Sequence, residues 1–142
     1  MFITLFLAFI DTEKNTLIYS RAGHKPGLLL RVSAKGNPEV EALRGDGMAL
    51  GMVPNELFKK IAIDQTCSFN KGDALVLFTD GITETINGEN EEYSLVRLVE
   101  KLEKLGEKSM NAFNEELLHD LGAFAADTNE RDDVTLISVR RN

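Results

Sequence analysis

The chain has 142 residues and an acidic balance, with 23 Asp and Glu against 16 Lys and Arg and a formal net charge of −7. Its hydrophobic content of 43% supports a packed core and excludes intrinsic disorder, while the acidic balance argues against nucleic-acid binding, which needs clustered Lys and Arg. A single cysteine, Cys67, excludes an intramolecular disulfide and a zinc site built on several thiolates. We therefore predict one domain over residues 1–142, in the reducing environment of the cytoplasm.

The first ten residues are apolar, and the run stops at Asp11. Its length is about half of the ~20 residues that a membrane-spanning helix needs. It also lacks the basic region and the cleavage site of a secretory signal. We therefore expect no membrane association, and we predict a buried β-strand that begins abruptly at the first residue.

Turn residues separate several β-prone runs in the first half of the chain. Residues 11–15 predict a hairpin turn before a strand at 16–20, and another strand is predicted at 27–32. Residues 33–38 predict a polar turn. Glycines and a proline make residues 39–55 typical of an irregular connection.

The next predictions concern the middle of the chain. One more short strand is predicted within residues 57–63 and 65–69. After a turn at 70–73, residues 74–78 form a continuous apolar run that is typical of a strand covered on both faces.

The period of the hydrophobic pattern then changes to that of helices. Apolar residues recur at helical spacing over 94–105, Gly106 supplies a stop, and a second helix is predicted from a Ser109 cap to residue 124. A polar loop at 127–133 and a strand at 134–139 follow. Strands, a helix pair and a final strand together predict an α+β fold.

Carboxylates stand beside two of the predicted strands. Asp80 follows the strand at 74–78, and Asp132 and Asp133 precede the strand at 134–139. If these strands are antiparallel neighbours, the carboxylates converge at one edge, where a hard divalent cation such as Mg²⁺ or Mn²⁺ resolves their repulsion. The alternative is an ordinary Asp-Gly turn at Gly81 and a solvated loop before the last strand.

Several blocks, in order along the chain, resemble one family. The run Leu75-Val-Leu-Phe-Thr-Asp-Gly-Ile-Thr-Glu-Thr85 resembles a signature of the metal-dependent PPM-type protein phosphatases, in the bacterial branch typified by stage II sporulation protein E and the sigma-regulator phosphatases. Further matching blocks are Phe2-Ile-Thr-Leu-Phe6, Ala8-Phe-Ile-Asp11, Ala22-Gly-His-Lys-Pro26, Ala49-Leu-Gly51, Lys71-Gly-Asp73 and Arg131-Asp-Asp-Val-Thr-Leu136. Together they span nearly the whole chain.

The resemblance implies a fold and a chemistry. The implied fold is a β-sandwich flanked by helices with a binuclear Mn²⁺ or Mg²⁺ centre, in which Asp80 and Asp132 are metal ligands and Asp133 is the alternative to Asp132. The implied reaction is hydrolysis of a phosphoserine or phosphothreonine monoester by metal-activated water, with an anti-sigma-factor antagonist as the expected protein substrate. No covalent intermediate is required, so Cys67 need not be a nucleophile.

Other residues in the matched blocks have two interpretations each. His24 either donates a proton near the substrate or orders the loop after the hairpin, and we favour the second. Glu84 either orients a metal-bound water or caps the following segment. Asp73 is interpreted as a turn residue, and His119 as a surface or packing residue of the second helix.

The family's first metal-ligand block lies upstream of the segment that corresponds to Phe2. We therefore expect the chain to be the C-terminal portion of a catalytic domain, with a single weakly bound cation or none. Three hypotheses follow: part of a protein phosphatase, a catalytically incomplete binding module, or a homodimer formed through the first strand.

Overall fold

Two antiparallel sheets and four helices make up the part of the chain that the computed structural model describes, which is residues 1–32, 38–126, 128 and 132–142. One sheet has three strands in the order β1-β2-β5, and the other has four in the order β4-β3-β6-β7. In chain order the elements are β1 (Leu5–Asp11), β2 (Thr16–Ala22), β3 (Gly27–Val32), β4 (Pro38–Leu43), α1 (Asn55–Ile61), β5 (Gln65–Ser68), β6 (Ala74–Phe78), α2 (Asp80–Thr83), α3 (Ser94–Leu105), α4 (Met110–Phe124) and β7 (Leu136–Arg140).

The molecule has two hydrophobic cores. One lies between the two sheets, which pack face to face. The other lies between the outer face of the four-stranded sheet and helices α3 and α4. Leu17, Leu29 and Leu75 are buried between the sheets. Val76 and Phe78, on the opposite face of β6, pack with residues of α3 and α4. Because β6 is buried on both faces, its sequence is continuously apolar, and the predicted strand at 74–78 is confirmed.

The two long helices follow the predicted pattern. In α3, Leu98, Leu102 and Leu105 are buried on one face. The Ser109 side chain accepts a hydrogen bond from the backbone N–H of Ala112, so the predicted N-cap of α4 is confirmed. The fold is α+β, as the sequence predicted, and its layers are sheet, sheet and helices.

The first strand departs from the prediction. Residues 5–11 do form the predicted hairpin with β2, but β1 is an edge strand with one exposed face, on which Leu7 and Phe9 keep 61% and 62% of their surface in solvent. The prediction of a fully buried strand was wrong because continuous hydrophobicity does not reveal whether a second layer covers the outer face. Within the described ranges, no helix is long and apolar enough to cross a membrane.

The region 39–69 also differs from the prediction. Instead of starting an irregular connection, residues 38–43 form β4, whose alternation of apolar and acidic residues suits a sheet edge. Residues 57–61 belong to helix α1, so only the strand within 65–69 is confirmed, as β5. The last strand begins at Leu136, two residues later than predicted. Of the turn predicted at 33–38, Pro38 is instead the first residue of β4. The other positions of that turn, 33–37, and positions 127 and 129–131 of the predicted loop lie outside the described residues.

Candidate functional site

The pairing of β6 with β7 places the end of one strand beside the start of the other. Phe78 pairs with Leu136 in the antiparallel ladder. Immediately beyond it, the Thr79 backbone N–H donates to the carbonyl oxygen of Thr135 at 3.1 Å, and the Thr135 N–H donates to the Thr79 Oγ1 at 2.9 Å. The condition stated from the sequence, that these two strands are antiparallel neighbours, is met.

Gly81 allows a very close approach at this junction. A Cβ atom placed on Gly81 would lie 2.4 Å from the carbonyl oxygen of Asp133, well inside the contact distance of real side chains. The Thr79 Oγ1 donates a hydrogen bond of 3.1 Å to the same carbonyl. The turn that carries Asp80 is therefore held directly against the backbone of Asp133.

Asp80 is the first residue of α2, and its side chain is exposed to solvent. It lines a cleft of about 330 Å³. The cleft brings this acidic group together with basic side chains of the loop after β2. The other residues that line it are Thr4, Arg21, Gly23, His24, Lys25, Pro26 and Thr79.

Arg21 lines the cleft and binds backbone carbonyl oxygens of two neighbouring loops. Its Nε and Nη2 atoms donate to the Gly45 oxygen at 2.9 and 2.5 Å, and its Nη1 donates to the His24 oxygen at 2.8 Å. The His24 ring lies with Nδ1 2.9 Å from the Lys25 carbonyl oxygen, which can only accept, so Nδ1 carries a hydrogen.

An ion pair joins α2 to the loop after β2. Lys25 Nζ lies 2.8 Å from Glu84 Oε1, and both side chains are exposed. The pair connects the C-terminal end of α2 with the residue that follows His24. The Glu84 carboxylate is thus engaged by a cation at the edge of the Asp80 cleft, a contact that neither sequence interpretation of Glu84 anticipated.

The Asp132 and Asp133 side chains are both exposed at the start of the final segment. Asp132 Oδ1 accepts a hydrogen bond of 2.8 Å from the Asp133 backbone N–H. Asp132 also lines a separate pocket of about 170 Å³ beside Leu118, Leu121 and Val134. The structure therefore brings the Asp133 backbone against the Asp80 turn, while Asp132 lines a different pocket.

The carboxylates near this junction are of the chemical type that binds a hard divalent cation, but there are few of them. Carboxylate oxygens such as those of Asp80 and Asp132 are the ligands that Mn²⁺ and Mg²⁺ prefer. Among the residues that the structure describes, no group of three or more His, Cys, Asp or Glu side chains is arranged to hold a metal ion. The described carboxylates are therefore of the right chemical type, and water or further protein ligands would have to complete any metal site.

Three other residues considered from the sequence lie outside the cleft. Asp73 is buried and accepts hydrogen bonds from the Asn70 N–H and from Arg31 Nη1, which confirms it as a turn residue. Cys67 is half-buried in β5, and burial raises the pKa of its thiol. His119 is exposed on α4. None of them lines the cleft that contains Asp80.

Sequence reasoning missed three residues that shape this cleft, which are Arg21, Lys25 and Thr79. Lys25 and Thr79 lie next to the considered residues His24 and Asp80, so their position within the same blocks was an available signal. Arg21 gave no such signal, because its three bonds go to carbonyl oxygens of loops whose path the sequence pattern does not reveal.

Comparisons with known proteins agree with this architecture. The structure is similar to the SiaA-PP2C domain of Pseudomonas aeruginosa, with a TM-score of 0.81 and 19% identity, covering 98% of this chain and 52% of that one. It is also similar to the phosphatase domain of the cell fate determinant SpoIIE from Bacillus subtilis, in a Mn-presoaked structure, with a TM-score of 0.70, 20% identity and coverage of 98% and 56%. The fold is therefore that of PP2C phosphatase domains.

The sequence comparisons identify the family. The family model for stage II sporulation protein E (SpoIIE) matches residues 1–142, and the chain belongs to this family. Phosphoserine phosphatase RsbU of Bacillus subtilis (strain 168) is 35% identical over 144 residues, covering 99% of this chain and 39% of RsbU. The chain spans between 21% and 39% of the length of the curated relatives it matches. The resemblance drawn from the sequence blocks is confirmed.

Proposed function

We propose that residues 1–142 are one portion, the C-terminal one, of a metal-dependent protein phosphatase domain that hydrolyses phosphoserine or phosphothreonine monoesters. The observation that carries the proposal is the junction of β6 and β7, where Gly81 lets the Asp80 turn contact the Asp133 backbone. Family membership and the similarity to phosphoserine phosphatase RsbU support it. The lone thiol of Cys67 supports a cytoplasmic location.

In this proposal Asp80 and Asp132 hold Mn²⁺ or Mg²⁺, with Asp133 as the alternative to Asp132. When bound, such a cation neutralises charge on phosphoryl oxygens and lowers the pKa of water. The Mn-presoaked structure of the SpoIIE phosphatase domain supports this choice of metal. In the complete domain of the family the centre is binuclear, so the ligands of this chain supply only part of it.

The chain's own side chains have distinct roles in the proposal. Lys25 presents positive charge and His24 presents an imidazole ring in the cleft that Asp80 lines, which suits a phosphorylated side chain. Arg21 and the Lys25–Glu84 pair position the loop and α2 relative to each other. The substrate is then a phosphorylated regulatory protein of the anti-sigma-factor antagonist type, as the resemblance implies.

A direct assay tests the proposal. Hydrolysis of a phosphoserine peptide is measured with saturating Mn²⁺, with and without a chelator, for the wild-type chain and for Asp80→Asn. The matched control is Glu103→Gln, which removes an exposed carboxylate from α3, an element with no residue in the cleft. Because the chain supplies only part of the metal centre, we expect slow turnover, which a chelator or Asp80→Asn abolishes and Glu103→Gln retains. Absence of turnover at saturating Mn²⁺ would refute activity of the chain by itself.

One observation favours a second candidate function, a catalytically incomplete module that binds a partner without turnover. Within the described residues, the acidic, histidine and cysteine side chains form no group of three that would hold a metal. This candidate predicts specific binding of a phosphorylated protein with no phosphate release at any metal concentration. Measuring phosphate release and peptide binding on the same sample therefore separates the two functions.

A further inference from the structure

Thr79, the residue before Asp80, makes hydrogen bonds on both sides of Val134. Its N–H donates to the Thr135 carbonyl oxygen at 3.1 Å, and its Oγ1 accepts a hydrogen bond of 2.9 Å from the Thr135 N–H. The same hydroxyl donates to the Asp133 carbonyl oxygen at 3.1 Å. One residue therefore makes three hydrogen bonds across the junction of β6 and β7, and two of them use its side chain.

Helix capping does not explain why a threonine stands at this position. Thr79 is the N-cap of α2, a place where a threonine oxygen commonly accepts a hydrogen bond from an N–H of the helix's own first turn. Its side chain makes no such bond. The two partners of the hydroxyl instead lie 54 and 56 positions further along the chain. The hydroxyl therefore stabilises the contact between two distant segments rather than the helix that it precedes.

The contact extends to the side chain of Asp132 through one further residue. The carbonyl oxygen of Asp133 accepts from the Thr79 hydroxyl, and the N–H of Asp133 donates to Asp132 Oδ1 at 2.8 Å. The same carbonyl oxygen lies against Gly81, where a Cβ atom would be only 2.4 Å away. The residues on either side of Asp80 thus contact the residue whose N–H holds the Asp132 carboxylate.

We infer that Thr79 is a positioning residue for the metal site, whose hydroxyl holds the segments that carry Asp80 and Asp132 in one fixed arrangement. The inference rests on the proposed function, from which it takes the roles of these two carboxylates as metal ligands. Thr79 acts through Asp133 and not by binding the cation. Two ligands on separate segments bind a cation more tightly when the protein already holds them in place, because less conformational freedom is lost on binding.

Valine and serine separate the role of the hydroxyl from that of the rest of the side chain. Valine keeps the branched shape of threonine but can neither donate nor accept a hydrogen bond, whereas serine keeps the hydroxyl and loses the methyl group. Thr79 is half-buried and lines the cleft, so neither change places a group in a closed core. Thr66→Val is the matched control, because it makes the same change on β5, which contributes no residue to the cleft.

Mn²⁺ binding tests the inference without an activity assay. Manganese(II) chloride is titrated into the isotopically labelled chain without substrate, and the free Mn²⁺ is measured by electron paramagnetic resonance. NMR spectra recorded before the metal is added show whether each variant is folded, and paramagnetic broadening around Asp80 and Asp132 locates the ion afterwards. For the wild type we expect weak binding at this place. Thr79→Val should weaken binding about fivefold or more, while Thr79→Ser and Thr66→Val stay within about twofold of the wild type.

Two results would overturn the inference while leaving the proposed function intact. One is a folded Thr79→Val variant that binds Mn²⁺ as tightly as the wild type. The other is a Thr79→Ser variant that loses as much affinity as Thr79→Val, since this would assign the effect to the methyl group. Thr79→Ala is a second variant without the hydroxyl, and it must weaken binding as well. If the wild-type chain itself binds no Mn²⁺, the proposed ligand roles of Asp80 and Asp132 fail, and this inference fails with them.

Discussion

Replacing Gly81 by alanine tests the junction on which the candidate site depends. The new Cβ would lie 2.4 Å from the Asp133 carbonyl oxygen and 3.0 Å from its carbonyl carbon, and both are backbone atoms that cannot rotate away. The two backbones must separate, which strains the hydrogen bond from Thr79 Oγ1 to the same oxygen. Such overpacking typically costs about 1–3 kcal/mol, so we expect the free energy of unfolding to fall by that amount.

Gly122→Ala is the matched control for this substitution. Gly122 lies inside α4, and no atom lies within 4 Å of a Cβ placed on it. Alanine is the better helix former, so this variant should gain roughly 0.5–1 kcal/mol. Urea unfolding followed by circular dichroism measures both. If Gly81→Ala is as stable as the wild type while Gly122→Ala is stabilised, the close contact at the junction does not exist and our reasoning about the site is wrong.

Two further predictions concern titrating groups away from the cleft. Burial alone would raise the pKa of Asp120, but hydrogen bonds from Lys101 and Tyr93, each 2.7 Å long, outweigh it and hold that pKa below its usual value. A carboxyl whose pKa is lowered by folding adds stability that is lost as the pH falls through that pKa. Asp120→Asn should therefore reduce the loss of unfolding free energy below about pH 4. Urea titrations at several pH values in which the variant loses stability as steeply as the wild type would contradict this. Burial raises the pKa of the Cys67 thiol. At pH 8 iodoacetamide should therefore modify Cys67 in the native chain more slowly than it modifies free glutathione. Equal labelling rates would contradict a protonated thiol.

Local signals in the sequence predicted the elements that depend on local chemistry. The Ser109 cap, the apolar run of β6 and the leucine spacing of α3 need no knowledge of the rest of the chain, and each was confirmed. The burial of β1 was wrongly predicted because it depends on which element covers each face of a strand. Which element covers a strand is decided by the tertiary structure, and the sequence of residues 1–10 is compatible with one covered face or with two.

The candidate site was predictable in part for the same reason. The neighbourhood of Asp80 and Asp133 follows from two strands whose pairing is confirmed. The roles of Arg21 and Lys25 depend on loops around Gly45 and Glu84, which are far away in sequence and close only in the folded chain. The metal-ligand role of Asp80 and Asp132 stays a prediction until cation binding is measured.

The burial of β6 on both faces also has a consequence for local unfolding. Its amides lie between two cores and in the middle of a sheet, so they should exchange with solvent only when much of the molecule opens. Thr79 and Asp80 directly follow this strand, whereas Lys25 and His24 belong to a loop on the surface. One wall of the cleft, the Asp80 turn, is therefore tied to the part of the chain that we expect to open last.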